Sequence, residues 1–110
     1  MADYNDFAKI EIRAGIIVRA EEFLRAKNPS YKVWVDFGSE LGIKTTSAQI
    51  THIYSLSTLV GRQVLGVTNI GQRNIAGFLS EFLLLGLPDA KGHIHLVTYE
   101  DKSLQGARLV

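Results

Sequence analysis

The sequence predicts an all-β fold, a small barrel built from five principal strands, and three observations carry that prediction. Between Lys9 and Glu21, the residues Ile10, Ile12, Ala14, Ile16, Val18 and Ala20 share one parity while Lys9, Glu11, Arg13, Arg19 and Glu21 share the other. This period-two alternation is that of a strand with one face in a core. Four further runs rich in β-branched and aromatic residues follow, separated by glycine, proline and asparagine. Gly15 interrupts the first run, and a residue without Cβ permits the bulge or sharp coil by which one strand bends to serve both sides of a barrel.

In chain order, Asp3 can cap a short helix over residues 3 to 8, in which Tyr4 and Phe7 stand one turn apart. After the long first strand, the turn Asn28-Pro29-Ser30 introduces a second, YKVWVDFG, with Val33, Val35 and Phe37 inward and Lys32, Trp34 and Asp36 on the other face. Gly38 and Gly42 frame a turn into the third strand, GIKTTSAQI, whose threonines suit extended backbone. Ser55 or Ser57 can cap a short helix that Gly61 ends. The fourth strand is RQVLGVTNI, and the fifth, FLSEFLLLG, runs to the turn Pro88-Asp89. One more strand, residues 93–99, precedes a polar tail. Five principal strands, a glycine in the first and a helix between the third and fourth follow the order of an OB-fold Greek-key barrel. Other small Greek-key barrels share the same periodicity.

The 110 residues, read as one domain over 1–110, are enough for a real core. Composition is that of a globular protein, 46% hydrophobic and 21% charged, with no apolar run near the roughly 18 to 20 residues that cross a bilayer. The first residues, MADYNDF, lack the basic start of a signal peptide, so a cytoplasmic location without membrane insertion is expected. Cysteine is absent, which excludes disulfides, thiol catalysis and thiolate metal ligation. A net charge of +1 falls well short of a dedicated nucleic-acid binder, so any phosphate affinity must be local.

Catalytic constellations are not apparent, and the expectation is a protein that is not an enzyme and needs no cofactor. His93 and His95 stand two apart in a strand, as metal ligands sometimes do, but without a third ligand nearby they read as solvent-face residues, and His52 reads as structural. No serine lies in a GxSxG turn, and neither GxGxxG nor a phosphate-binding GxxxxGK loop occurs. Binding features are better represented. Trp34 lies among charged neighbours, where a large aromatic marks a surface that something covers. Lys44, Arg73 and Lys32 beside Trp34, Phe78 and Tyr31 supply cations and stacking surfaces that suit single-stranded nucleic acid or a peptide. Phe78 and Phe82 share a parity with Ser80 between them, and both divide between core packing and ligand contact.

Four segments, FAKIEIRAGIIVRAEE at 7–22, SYKVWVDFGSELGIKTTSAQIT at 30–51, LVGRQVLGVTNIG at 59–71 and RNIAGFLSEFLLLG at 73–86, resemble the tRNA-binding OB domains, and within them the CsaA-type secretion chaperones. The resemblance implies an OB barrel whose N- and C-terminal extensions tie two subunits into a homodimer. It also implies export-linked capture of unfolded precursor proteins. In the broader family a serine-glycine pair ends strand three, matched here by Ser47-Ala48, an asparagine begins the next basic loop, matched by Asn69, and of a Ser-x-Gly-Met string only Ser80 is kept. Phe82 and Leu83 replace its Gly and Met, Gln49 looks like an addition, and Arg73 is the only cation left in the loop NIGQRNIAG. Each lost phosphate contact removes about one unit of salt dependence with its share of affinity.

The expected function is therefore a homodimeric chaperone that binds unfolded or extended precursor polypeptides, with a tRNA-binding module as the alternative and a ligand-free structural subunit as a third class. Arg73, Asn69 and Gln49 would bond the peptide main chain, Phe78 and Trp34 would offer apolar contact, and Ser47 and Ser80 would supply hydroxyls at the floor. Gly77 serves either close backbone approach or a bend. Ile17, Trp34 and the closing residues ARLV break the expected polar pattern and suggest a stripe covered in a dimer.

Overall fold

The computed structural model describes residues 1–110. A short helix α1 (Tyr4–Ala8) precedes the long strand β1 (Ile12–Glu22), followed by β2 (Tyr31–Asp36), β3 (Ile43–Ala48), helix α2 (Leu56–Leu59) and β4 (Gln63–Val67). The last third holds β5 (Arg73–Ile75), β6 (Phe78–Ser80), β7 (Leu83–Leu84), β8 (Gly86–Pro88), β9 (Ile94–Leu96) and a turn of 3-10 helix at Lys102–Leu104. The main sheet has the order β3-β2-β1-β4-β7, all antiparallel, and it curls into a nearly closed five-stranded barrel of the OB type.

Helix α1 begins where the sequence places it. Asp3 accepts from the Asp6 amide at 3.1 Å and its own amide donates to the Asp6 carboxylate at 3.0 Å, a reciprocal cap. The first strand departs from expectation in phase. Its bulge falls at Val18, not at Gly15: Ile17 pairs with Val35, Arg19 with Trp34, and Val18 is left over, 41% exposed. The strand therefore changes the parity it turns to the core. Ile17 is fully buried among Val33, Val35 and Phe37, so it is a core residue and not part of a dimer stripe, and beyond the bulge Ala20 packs on the same cluster. Gly15 answers a packing demand, since a Cβ there would lie 2.4 Å from Val35 Cγ1 and 2.9 Å from Phe37 Cδ1.

The expected single fifth strand, residues 78–86, is broken into Phe78–Ser80, Leu83–Leu84 and the start of Gly86–Pro88, and a short strand that the sequence reading lacks, Arg73–Ile75, precedes it. Arg73–Ile75 and Phe78–Ser80 form a hairpin whose two-residue turn, Ala76 and Gly77, has φ of 48° and 87°. Positive φ at both central residues is the tight turn that matches strand twist, and it gives Gly77 the bend of its two expected roles. The Gly77 amide donates to Asn74 Oδ1 at 2.9 Å. After Ser80 the chain crosses from the outside of the barrel to its interior, which separates Phe78 from Phe82 despite their shared parity. Phe82 is 2% exposed and meets Phe37 edge to face at 5.0 Å between centroids.

The polar residues threaded through this apolar stretch close the barrel. The Glu81 amide donates to the Thr45 carbonyl at 2.8 Å, and the Glu81 carboxylate accepts from the Thr45 amide and hydroxyl, both at 3.0 Å. Thr46, buried, donates its hydroxyl to the Phe82 carbonyl at 2.8 Å and shares a 2.9 Å hydrogen bond with Ser80 Oγ. A buried hydroxyl without such partners would be costly, so the serine and glutamate are the price of joining β3 to the crossing segment.

The segment after β9 runs back along the free edge of β1. The Ala14 amide donates to the Ala107 carbonyl, the Gly106 amide to the Ala14 carbonyl and the Leu109 amide to the Ile12 carbonyl, at 2.8–2.9 Å. Arg13 Nη1 reaches the Gly106 carbonyl at 2.9 Å, and Arg108 bonds the Ala8 carbonyl at 2.8 Å. Both extensions are thus tied to the same strand.

Candidate functional site

Three of the expected binding residues meet at one cleft. The end of β3 supplies Ser47 and Gln49, β5 supplies Arg73 and Ile75, and the loop after β1 supplies Lys27, Asn28 and Ser30. Ile50, Leu83, Leu84, Ile94 and Leu96 complete an apolar wall around a half-open volume of about 400 Å³. Ile50 is at the same time a core residue, so the wall is continuous with the packed interior. Arg73 and Gln49 are exposed at the mouth, and Arg73 belongs to none of the ion pairs of the chain.

Trp34 and Phe78 occupy a neighbouring face, where they pack on each other at 5.5 Å between ring centroids. Phe78 also meets the buried Phe23 at 5.6 Å. The Arg19 guanidinium lies 4.4 Å above the Trp34 ring, with Glu21 holding its other side, and Lys32 Nζ stands 5.2 Å from both phenylalanine rings. The tryptophan that the sequence leaves wet is thus partly covered by its own chain. What remains is a cationic and aromatic surface, joined to the cleft through the hairpin in which Phe78 pairs with Ile75.

The other expected residues stand apart from the cleft. Asn69 uses both ends of its amide inside the protein, accepting from the Glu11 amide at 2.8 Å and donating to the Lys9 carbonyl at 2.7 Å, which fixes the approach to β1. Ser80 is bonded to Thr46 as described. Lys44 pairs in register with Val35, on the opposite side of the sheet from Trp34, whose partner is Thr45. Tyr31 donates its hydroxyl to the Tyr54 carbonyl at 2.9 Å. Sequence reasoning missed Lys27 and the wall residues Ile94 and Leu96, because only the folded chain brings the loop after β1 beside β9.

The histidines do not converge on one point. His93 stacks on His52 with centroids 4.2 Å apart, while His95 bonds Asp89 at 2.9 Å. Asp89 also accepts from the Lys91 and His93 amides, at 2.9 and 3.0 Å, in the turn that joins β8 to β9, the strand that carries Ile94 and Leu96 of the cleft wall. The His95 bond first, and then the two amides, hold the Asp89 carboxyl at about 2, below its ordinary 3.8. A carboxyl lowered in the folded state contributes stability above its unfolded value, and loses it as pH falls from about 4 to about 2. Asp89→Asn should therefore melt below the parent at neutral pH, and the difference should vanish near pH 2; melting curves over that range check it.

Residues 12–108 match the model of the family described as "Putative tRNA binding domain". The chain belongs to the tRNA-binding domain family. Its fold is closely similar to the crystal structure of a CsaA chaperone protein from Picrophilus torridus, with 38% identity, TM-score 0.94 and the whole of both chains covered. A chaperone CsaA from Bacillus anthracis is 39% identical with TM-score 0.91, covering 100% of this chain and 99% of that one. Methionine--tRNA ligase of Chlorobium phaeovibrioides is 28% identical over 107 residues, which are 97% of this chain and 15% of the ligase. The family match takes in both the cleft and the aromatic face.

Proposed function

We propose that the protein is an export-related cytoplasmic chaperone that binds extended segments of unfolded precursor polypeptides as a homodimer. The observation that carries this reading is the cleft itself, a half-open volume with Ile50, Leu83, Leu84, Ile94 and Leu96 in its wall, half-buried Ser47 in its lining and Gln49 and Arg73 exposed at its mouth. Such a wall takes apolar side chains, while the polar mouth meets main-chain amides and carbonyls. The likeness to CsaA chaperones, over the whole chain, supports the same reading. Phe78 and Trp34 extend the apolar contact beyond the cleft. A short groove without a deep anchor offers few strong contacts, so affinity is modest.

The homodimer is supported by the extensions. Helix α1 has no buried residue, with Tyr4 78% and Phe7 40% exposed, and Ile10, Leu104 and Leu109 are also open to water. These apolar groups lie on segments that Arg108 and Asn69 hold in place, and a second copy of the chain would cover them. Sedimentation velocity should give a dimer mass for the parent chain and a monomer mass for Phe7→Glu, since a charge placed in a covered apolar patch has no partner.

A second reading, a tRNA-binding module, is favoured by the family and by the ligase likeness, and the face of Arg19, Lys32, Trp34 and Phe78 supplies cations beside stacking rings. Titration with tRNA and with an unfolded precursor at two salt concentrations separates the two. Counterion release makes RNA binding fall steeply as salt rises, whereas apolar capture persists or strengthens. Tight tRNA binding at physiological salt with no polypeptide binding would reverse the order of the two readings.

A further inference from the structure

We infer that the cleft selects extended segments in which a carboxylate stands between apolar side chains. The inference rests on the peptide reading of the cleft given above and adds the charge of its ligand. Fifteen residues line the cleft, and they include Lys27 and Arg73 but none of the chain's 11 aspartates and glutamates. Both cations are exposed, and neither takes part in an ion pair. Unpaired cations are common on this surface, since of the twelve lysines and arginines only Arg13 and Arg19 hold acids; what marks the cleft is that its lining brings two cations together with no acid among them. The cleft is therefore a place where two unanswered positive charges stand over an apolar wall.

The wall decides which anion fits. A nucleic-acid strand brings a charge at every phosphate and little aliphatic surface, so it would leave Ile50, Ile75, Leu83, Leu84, Ile94 and Leu96 without partners. A polypeptide segment with a glutamate or aspartate among leucines and valines answers both parts. Its carboxylate accepts two parallel N–H bonds from the planar Arg73 guanidinium or a single one from Lys27, and its aliphatic neighbours cover the wall. A lysine at the same place would meet like charge with no acid to offset it.

The test uses acetylated and amidated peptides Ser-Gly-Leu-Val-Xaa-Val-Leu-Gly-Ser, dye-labelled, with glutamate, glutamine or lysine at Xaa, and reads binding to the intact chain by fluorescence anisotropy. Exposed ion pairs contribute modestly, so the glutamate peptide should bind about fivefold more tightly than the glutamine peptide, and the lysine peptide most weakly. The preference should shrink as salt is raised and fall to about one in the double variant Lys27→Gln, Arg73→Gln. Equal affinities for glutamate and glutamine overturn the inference and leave the cleft a peptide site. A preference that survives in the double variant overturns it too, since the discrimination then lies elsewhere. If none of the three peptides binds to a chain that melts normally, the peptide reading itself falls. Displacement of the glutamate peptide by a lower concentration of a single-stranded oligonucleotide assigns the two cations to phosphate and overturns the inference.

Discussion

Phe82→Ala is expected to lower the stability of the chain by about 3–5 kcal/mol, the range for removing a fully packed aromatic from a core. Phe82 is 2% exposed, and its ring meets Phe37 edge to face, so truncation removes a large apolar area and one member of an aromatic pair together. The hydrogen bond from Thr46 to the Phe82 carbonyl does not involve the side chain and survives, which confines the loss to packing. The surrounding residues, Val33, Val35 and Val64, are stiff and fully buried, and they cannot collapse far into the space left. For a domain of this size the midpoint of thermal unfolding should drop by at least about 10 °C. Urea denaturation checks the effect, with a lower midpoint and an unchanged slope. A loss under about 1 kcal/mol would mean that the barrel does not close on this ring.

Gly15→Ala should cost about 1–3 kcal/mol although it adds a single methyl group. That methyl would sit 2.4 Å from Val35 Cγ1 and 2.9–3.0 Å from two Phe37 ring atoms. Both neighbours are buried and held from the far side by the rest of the core, so the strands themselves must move apart. Gly71→Ala provides the control, because a Cβ there meets nothing within 4 Å and its backbone carries no positive φ. It should be neutral, or stabilise the chain by a few tenths of a kcal/mol by limiting the unfolded chain. Equal effects of the two substitutions on the denaturation midpoint would remove the packing explanation for Gly15.

Much of the barrel is written in local patterns. The Asp3 cap, the inward set Val33, Val35 and Phe37, and the helix between β3 and β4 each follow from spacing a few residues long, and the structure has them where those spacings lie. The first strand misleads because it is apolar on both parities around Gly15, with Ala14 and Ile16 buried as well as Ile17. Alternation alone cannot then place the bulge, and pairing with β2 moves it to Val18. The stretch from Phe78 to Gly86 reads as one strand because it is a largely apolar run with no glycine or proline before Gly86, whereas Glu81 and Ser80 are needed to join β3 and the chain must turn there. Of the cleft, Ser47, Gln49 and Arg73 are legible as polar groups beside apolar runs, but Lys27 lies in a loop whose position depends on contacts far along the sequence. Asn69 shows the opposite failure: an exposed asparagine next to a loop has the look of a ligand contact, and its amide instead joins the Lys9 carbonyl and the Glu11 amide just before β1.

The clasp between β1 and the segment after β9 bears on how fast the molecule assembles. Arg13 and Gly106 are 93 positions apart, and the loop that their contact closes takes in most of the chain, which makes the covering of the outer rim of the first strand a slow step. During that interval Ile12 to Ala14 present bare amides and carbonyls to any passing extended chain. Slow refolding at high protein concentration should therefore divide between native product and strand-to-strand adducts, and dilution should favour the former.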